Sequence, residues 1–428
     1  MKDLFFTDLV VESVREGTSL IVRARRDEDE GTFIAQPAGE HATARLDCPN
    51  QALAVPLAMT GARRALQEFA AARVEVERPS RAIAAALQHA GYLHEGETFY
   101  LPLDLAFDLR NVRVVFAGGV ESSRRIMTAM VHRGARPVLA LGYAASLRGR
   151  SGFANLGSLC DDNTIPLLRT ADINEPRVVA AVREAAPDYL CVFGWSQIVE
   201  HELLRLPRVG CLGLHPTRLP EGRGRAPVPW TLIKGLTESA SSLYWLARRV
   251  DAGELADQRP FTVRPTDDAA SLYETITRVQ IEQVEEILPR LAAHTLPRTP
   301  QRTPVDPPWP RRKPEDGVID WRRPAHELYN WVRALTHPYP GAFTMVNGRR
   351  LMVWRAEELL DAPPGRSRNG KVVGAQLPAG AAEGALLVAC GDGRLLALRR
   401  VQWEDGAEQG AHALWAEGAI RTGMRLGS

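Results

Sequence analysis

The pattern of apolar and polar positions changes character near residue 110 and again near residue 300. Over the first stretch, Thr18–Arg25, Thr32–Gln36 and Ala42–Asp47 are short β-prone runs separated by Gly and charged turns. Helix-like apolar spacing follows over Ala52–Ala72 and Arg81–Ala90. The pattern predicts a small α+β domain over residues 1–110, hairpins first and helices after. The texture then shifts. Val112–Ala117 is a continuous apolar strand, Gly118 and Gly119 follow, and Glu121–His132 has helical periodicity. Strand, glycine turn and helix open a βαβ unit. Strand Pro137–Tyr143, a Gly/Ser/Arg-rich loop at Ala144–Ser158, helix Glu175–Ala186 and strand Tyr189–Phe193 continue it. A loop, helix Glu200–Leu206 and strand Cys211–Leu214 come next. Such alternation predicts an α/β, doubly wound, mostly parallel sheet.

Val228–Lys234 reads as helix, Ser241–Leu246 and Pro260–Val263 as strands, and Ala269–Ala293 as a long amphipathic helix. Residues 299–314 are dense in Pro and Arg without periodicity, which predicts an extended linker after a domain over 111–298. Beyond it, over 315–428, helix Ala325–Leu335 is predicted. Regular short strands then follow at Ala342–Val346, Arg350–Arg355, Lys371–Ala375, Ala385–Ala389 and Leu395–Arg400. That spacing predicts a small β-rich barrel or sandwich.

Composition adds limits rather than chemistry. A chain of 428 residues holds two or three domains. Its net charge of +2 gives no support for a polyanionic partner. The five cysteines are dispersed, without CxxC spacing, which points to a reducing, cytoplasmic setting. Cys191 and Cys211 sit in apolar runs and read as small core residues. Acidic residues interrupt the first apolar run, so it is not a secretory signal, and no segment is apolar enough to span a bilayer. His41, His89 and His94 are too scattered to argue for a metal, and none is expected. Gly118-Gly119 lacks the GxGxxG spacing of a dinucleotide site.

The chemistry gathers at Val209–Gly224, VGCLGLHPTRLPEGRG. An apolar run cut off by His215-Pro216 delivers an imidazole to the end of a sheet, where open α/β sheets bind ligands. The alternative is a structural histidine closing a strand.

Leu214–Gly235, LHPTRLPEGRGRAPVPWTLIKG, resembles the central motif of the folate-dependent formyltransferases, an Asn-x-His-x-Ser-Leu-Leu-Pro run leading into a basic, Gly-containing loop. VRVVFAGGVESSRRIM resembles that family's first βα unit, and Val192–Val199 (VFGWSQIV) the loop walling its pterin pocket. Arg311–Thr344 resembles the C-terminal domain entry of the amino-sugar and tRNA members, nearer the sugar type, so an OB-like C-terminal domain is implied. The resemblance runs from Val112 to Ser428, and the first 110 residues stand outside it as an unrelated domain.

The resemblance implies transfer of a formyl group from 10-formyltetrahydrofolate to an amine. Attack on the formyl carbon develops an oxyanion, which an imidazole can stabilise while relaying a proton, each effect contributing roughly 100- to 10,000-fold. By position, His215 matches the family histidine and Asp251, in VDAG, the carboxylate that orients it and takes charge from the amine. Trp195, Ser196, Gln197 and Ile198, with Arg248, Arg249 and Val250, fall where the family binds its donor. Thr217, Arg218, Arg223 and Gly224 fall on the substrate side. Two departures stand out. The family Asn is Gly213 here, which removes a side-chain donor worth roughly 3 kcal/mol unless another group replaces it. The family's acidic loop is replaced by Ala247-Arg248-Arg249, which faces either an anionic ligand or solvent.

The leading expectation is an N-formyltransferase acting on a small amine, such as a nucleotide-linked amino sugar. Methionyl-tRNA is the runner-up acceptor, disfavoured by the weak net charge. A one-carbon or acyl transferase with a changed donor, and a non-catalytic binding protein, remain as alternatives because of Gly213. The N-terminal domain is an expected dimerisation or substrate-gathering element, making the chain a candidate homodimer without membrane attachment.

Overall fold

The structure is a computed structural model describing residues 112–427 apart from 150, 304–305, 360–368 and 377–383. Of residues 1–111 it describes chiefly 2–6, 9–26, 29–38, 41–48, 73–77, 93–95 and 98–102, with scattered helical positions between them. The chain divides into two compact units. One comprises Met1–Leu214, Ser242–Gln258 and Gln280–Arg302, the other His215–Ser241, Arg259–Val279 and Thr303–Ser428.

The first unit begins with an antiparallel meander, β1 (Lys2–Phe6), β2 (Leu9–Glu16), β3 (Ser19–Arg26), β4 (Asp29–Ala38) and β5 (His41–Asp47). The three predicted runs are found in β3, β4 and β5. Period-two burial explains β4: Gly31, Phe33 and Ala35 are buried while Thr32 and Ile34 between them are only half-buried and Gln36 is exposed. The sheet extends through β6 (Arg73–Glu77), parallel to β5, and the hairpin of β7 (Leu93–Glu95) and β8 (Thr98–Pro102), in the order β1-β2-β3-β4-β5-β6-β8-β7. The predicted helices at 52–72 and 81–90 lie mostly outside the described residues. Leu57, Ala58, Ala62, Ala65, Ile83 and Leu87 within them are helical and buried.

The predicted α/β alternation is then realised. The elements are β9 (Val114–Ala117), α1 (Glu121–His132), β10 (Leu139–Tyr143), α2 (Gly157–Asp162), β11 (Leu167–Thr170), α3 (Pro176–Ala185), β12 (Tyr189–Phe193), α4 (His201–Leu204) and β13 (Gly210–His215). After α5 (Pro227–Ile233) come β14 (Glu238–Trp245), β15 (Leu255–Thr262) and α6 (Ala269–Ala292). The strand order is β11-β10-β9-β12-β13-β14-β15, with β9 to β13 parallel. Strands β9, β10 and β12 are buried along their whole length, which is why they read as unbroken apolar runs. The chain leaves β9 toward β10 and β11, then returns to place β12 on the other side of β9. That reversal is a topological switch point, and ligands of open α/β sheets bind at the carboxyl ends of strands there.

In the second unit, α7 (Ala325–Leu335) packs on an antiparallel sheet of β16 (Ala342–Val346), β17 (Arg349–Glu358), β18 (Val372–Gln376), β19 (Ala385–Ala389), β20 (Leu395–Trp403) and β21 (Gln409–Gly410). The order is β16-β17-β20-β19-β18, with β21 on β20 and α8 (Ala411–Ala416) against β19 and β20. Spacing alone left barrel and sandwich open, and the pairing forms one β-rich sheet. All five cysteines are buried and free, and burial pushes the Cys191 thiol up to about 12. Among the described residues, no helix is long and apolar enough to cross a membrane.

Candidate active site

The loop after β12, Gly194–Ile198, lies at the switch point and is held by its own side chains. The Gln197 carbonyl oxygen accepts from Trp195 Nε1 at 3.0 Å and from the Ile173 backbone at 3.0 Å, while its amide nitrogen donates to Ala171 O at 2.8 Å. The Tyr143 ring sits 4.3 Å from that of Trp195, and its hydroxyl accepts from Ser196 N at 3.1 Å. Gln197 is therefore committed to the loop. Ser196 is exposed, Trp195 is half-buried, and Ile198 is 59% exposed, unusual for so apolar a side chain.

The next strand, β13, ends at His215 because Pro216 has no N–H to continue a ladder. His215 is buried, and its Nε2 lies 2.7 Å from Gly222 O. A carbonyl can only accept, so Nε2 donates its proton in this contact. Thr217, also buried, donates Oγ1 to the same carbonyl at 2.7 Å. A Cβ at Gly222 would stand 2.3 Å from Thr217 Oγ1 and 2.4 Å from Thr217 Cβ, so only glycine lets that side chain cover the loop. Leu219–Pro220 is a cis peptide.

The arginines of this loop have separate fates. Arg218 pairs with Glu238 at 3.5 Å on the surface. Arg225 is exposed. Arg223 is only 7% exposed, and its Nε has no hydrogen-bond partner among the described residues. Its backbone is fixed from outside: Trp309 N donates to Arg223 O at 2.7 Å, Arg225 N donates to Trp309 O at 2.9 Å, and Gly224 forms a parallel bridge with Trp309. Part of the proline-rich segment is thus bonded to the central loop.

Gly213 and Asp251 belong to the first unit. An ideal Cβ at Gly213 would meet Tyr244 at 2.9 and 3.0 Å and Leu246 at 2.7 Å, so the ring of Tyr244 on β14 occupies the room of a side chain there. The Tyr244 hydroxyl donates to Asp251 Oδ1 at 2.7 Å. Burial first, then the charge of Asp251, holds that hydroxyl well above the usual phenol range, so it remains a donor. Asp251 adopts a left-handed conformation, φ 50°, which aspartate tolerates better than most residues. Gln301 Nε2 clasps the turn, donating to Asp251 O at 3.0 Å and Gly253 O at 2.6 Å. Arg248, Arg249 and Val250 are exposed. Spacing missed Tyr244 and Gln301. The one signal in the sequence was a tyrosine in an apolar strand close to a glycine-bearing one.

The chain matches the family model described as formyl transferase over residues 130–288, and that of the formyl transferase C-terminal domain over residues 311–418. Among solved structures, HypX from Aquifex aeolicus, in complex with tetrahydrofolic acid, is 17% identical with a TM-score of 0.49. That match covers 71% of this chain and 47% of HypX, so this chain spans less than half the length of that relative. The sugar 3N-formyl transferase WlaRD, solved with dTDP and 5-N-formyl-THF, is 14% identical with a TM-score of 0.50, covering 69% of this chain and 99% of WlaRD. Methionyl-tRNA formyltransferase from Clostridium thermocellum is 18% identical with a TM-score of 0.44, covering 59% of this chain and 95% of that one. The likeness to WlaRD speaks for the fold.

Proposed function

Because the chain belongs to the folate-dependent formyltransferase family, we propose that it moves a formyl group from 10-formyltetrahydrofolate to the amine of a small biosynthetic intermediate, of the nucleotide-linked amino-sugar kind. The folate supplies an activated formyl group on N10. The chain's own residues do the rest. His215 takes a proton released by the attacking amine and, once charged, stabilises the developing oxyanion and returns the proton to the folate leaving group, while its Nε2–H contact with Gly222 O holds the ring in place. Asp251 takes up charge from the incoming amine. Trp195, Ser196 and Ile198, joined by Arg248, Arg249 and Val250, form the donor side, while Gln197 acts by shaping that loop. Thr217, Arg218, Arg223 and Gly224 form the acceptor side, where the buried guanidinium of Arg223 suits an anionic group.

The observation that carries this reading is a buried, strand-end histidine with a defined proton position, inside the segment matching the formyl transferase model. The test is calorimetric titration of the full chain with 5-formyltetrahydrofolate, followed by an amine panel assayed with the 10-formyl donor. Micromolar binding and transfer to a nucleotide-linked amino sugar are the expected results. A well-folded protein that binds no folate would point instead to a changed donor. Transfer confined to methionyl-tRNA, steeply salt-dependent, would replace the acceptor.

A further inference from the structure

A missing side chain usually leaves a hole or a water, and Gly213 leaves neither room nor need for one. The Tyr244 ring atoms Cε1 and Cζ stand 2.9 and 3.0 Å from where a Cβ at 213 would be. Leu246 Cδ2 stands closer still, at 2.7 Å, so an asparagine at 213 would have to displace both the Tyr244 ring and the Leu246 side chain. The ring also ends in a hydroxyl, which donates to Asp251 Oδ1 at 2.7 Å. Tyr244 is 7% exposed, so this hydroxyl depends on a protein partner. Asp251 is held from the other side as well, since Gln301 bonds its backbone carbonyl. A left-handed residue held at both backbone and carboxylate is a fixed group rather than a mobile turn.

We propose that Gly213 and Tyr244 are two halves of one exchange, and that Tyr244 is a positioning residue: its ring takes the place of a side chain at 213, and its hydroxyl aims the Asp251 carboxylate. The catalytic consequence rests on the formyl-transfer reading above. It gives the departure at 213 a defined meaning. The hydrogen-bonding group has moved from β13 to β14 and has changed its client, from the reacting oxygen to the carboxylate. Conserving ring and volume while removing only the hydroxyl isolates the effect, which makes Tyr244→Phe the central variant. Misaiming a reacting group by about 1 Å costs on the order of 100-fold in rate.

In the full-length protein, Tyr244→Phe is expected to lower kcat about 10- to 100-fold. The acceptor KM and the folate Kd should stay within about twofold, a split that a packing defect would not give. Gly213→Asn is expected to lose both melting temperature and rate, and Tyr244→Ala added to it should recover part of each. A Tyr244→Phe enzyme within twofold of the wild-type kcat overturns the proposal, whether or not Gly213→Asn folds. Should the wild-type protein transfer no formyl group, the functional reading fails, and a thermal cycle decides the inference alone. Tyr244→Phe and Asp251→Ala should each lower the melting temperature by about 3 °C, and together by no more than the larger single loss. Additive losses overturn it.

Discussion

After β13 the chain turns through residues 216–224, where the buried Thr217 is turned onto the loop's own backbone; after β12 it turns through 194–198 with Ser196 and Ile198 exposed. In the first loop one carbonyl, Gly222 O, accepts from both His215 and Thr217. In the second, Gln197 is the only amide side chain and all its hydrogen bonds go to the loop's frame, Ser196 Oγ meets the Tyr143 hydroxyl at 3.2 Å, and Ile198 is exposed. The first arrangement fixes a proton's position. The second fixes the shape of a loop. Under the proposed function, the first loop would serve catalysis and the second reception of the donor.

Four substitutions test that contrast. His215→Ala should lower formyl transfer by roughly 100- to 10,000-fold while leaving the calorimetric folate Kd within about twofold; equal losses in both would erase the division of labour. Gly222→Ala forces a methyl against Thr217, and denaturant unfolding should show a loss of about 1–3 kcal/mol with a matching fall in rate as the His215 ring loses its acceptor. Gln197→Ala removes the frame of the second loop. Stability should fall by about 1–2 kcal/mol, and amide exchange should quicken at Ile173 and Ser196, with kcat little changed. Ile198→Ala should be the mildest, within about 0.5 kcal/mol in stability because the side chain is exposed. Its effect belongs in a severalfold weaker folate Kd, and an unchanged Kd would remove Ile198 from the donor side.

Legibility in the sequence followed the physics of each element. Helices Glu121–His132 and Ala325–Leu335 and strands Tyr189–Phe193 and Ala342–Val346 were read at their observed limits, since each buries a periodic or continuous apolar set. Strand Leu167–Thr170 escaped because it lies at the sheet edge with only Thr170 buried, and the short apolar stretch entering it is broken by Pro166. β6 escaped for another reason: it pairs in parallel with β5 far back in the chain, a non-local contact that no turn signal marks. At the site, His215 was legible from Pro216 and the glycines around it. Tyr244 was not, because its significance lies in facing Gly213 across two strands, and cross-strand distance has no trace in spacing. The surface pairing of Arg218 with Glu238 was equally hidden, since spacing along the chain does not mark it.

The bonds of Trp309 to Arg223 and Arg225 bear on how such a chain can be recombined. Domain shuffling favours joints where few contacts cross, and a proline-rich stretch invites a cut anywhere along it. Here the permissible joints are unequal. A chimera spliced after Lys313 keeps Trp309 and, with it, the brace on the histidine loop. One spliced after Arg302 imports a foreign residue at that place, and the part that carries the histidine loop arrives with that loop unbraced. Inheritance of the C-terminal half is therefore tied to a tryptophan that lies before it in the chain.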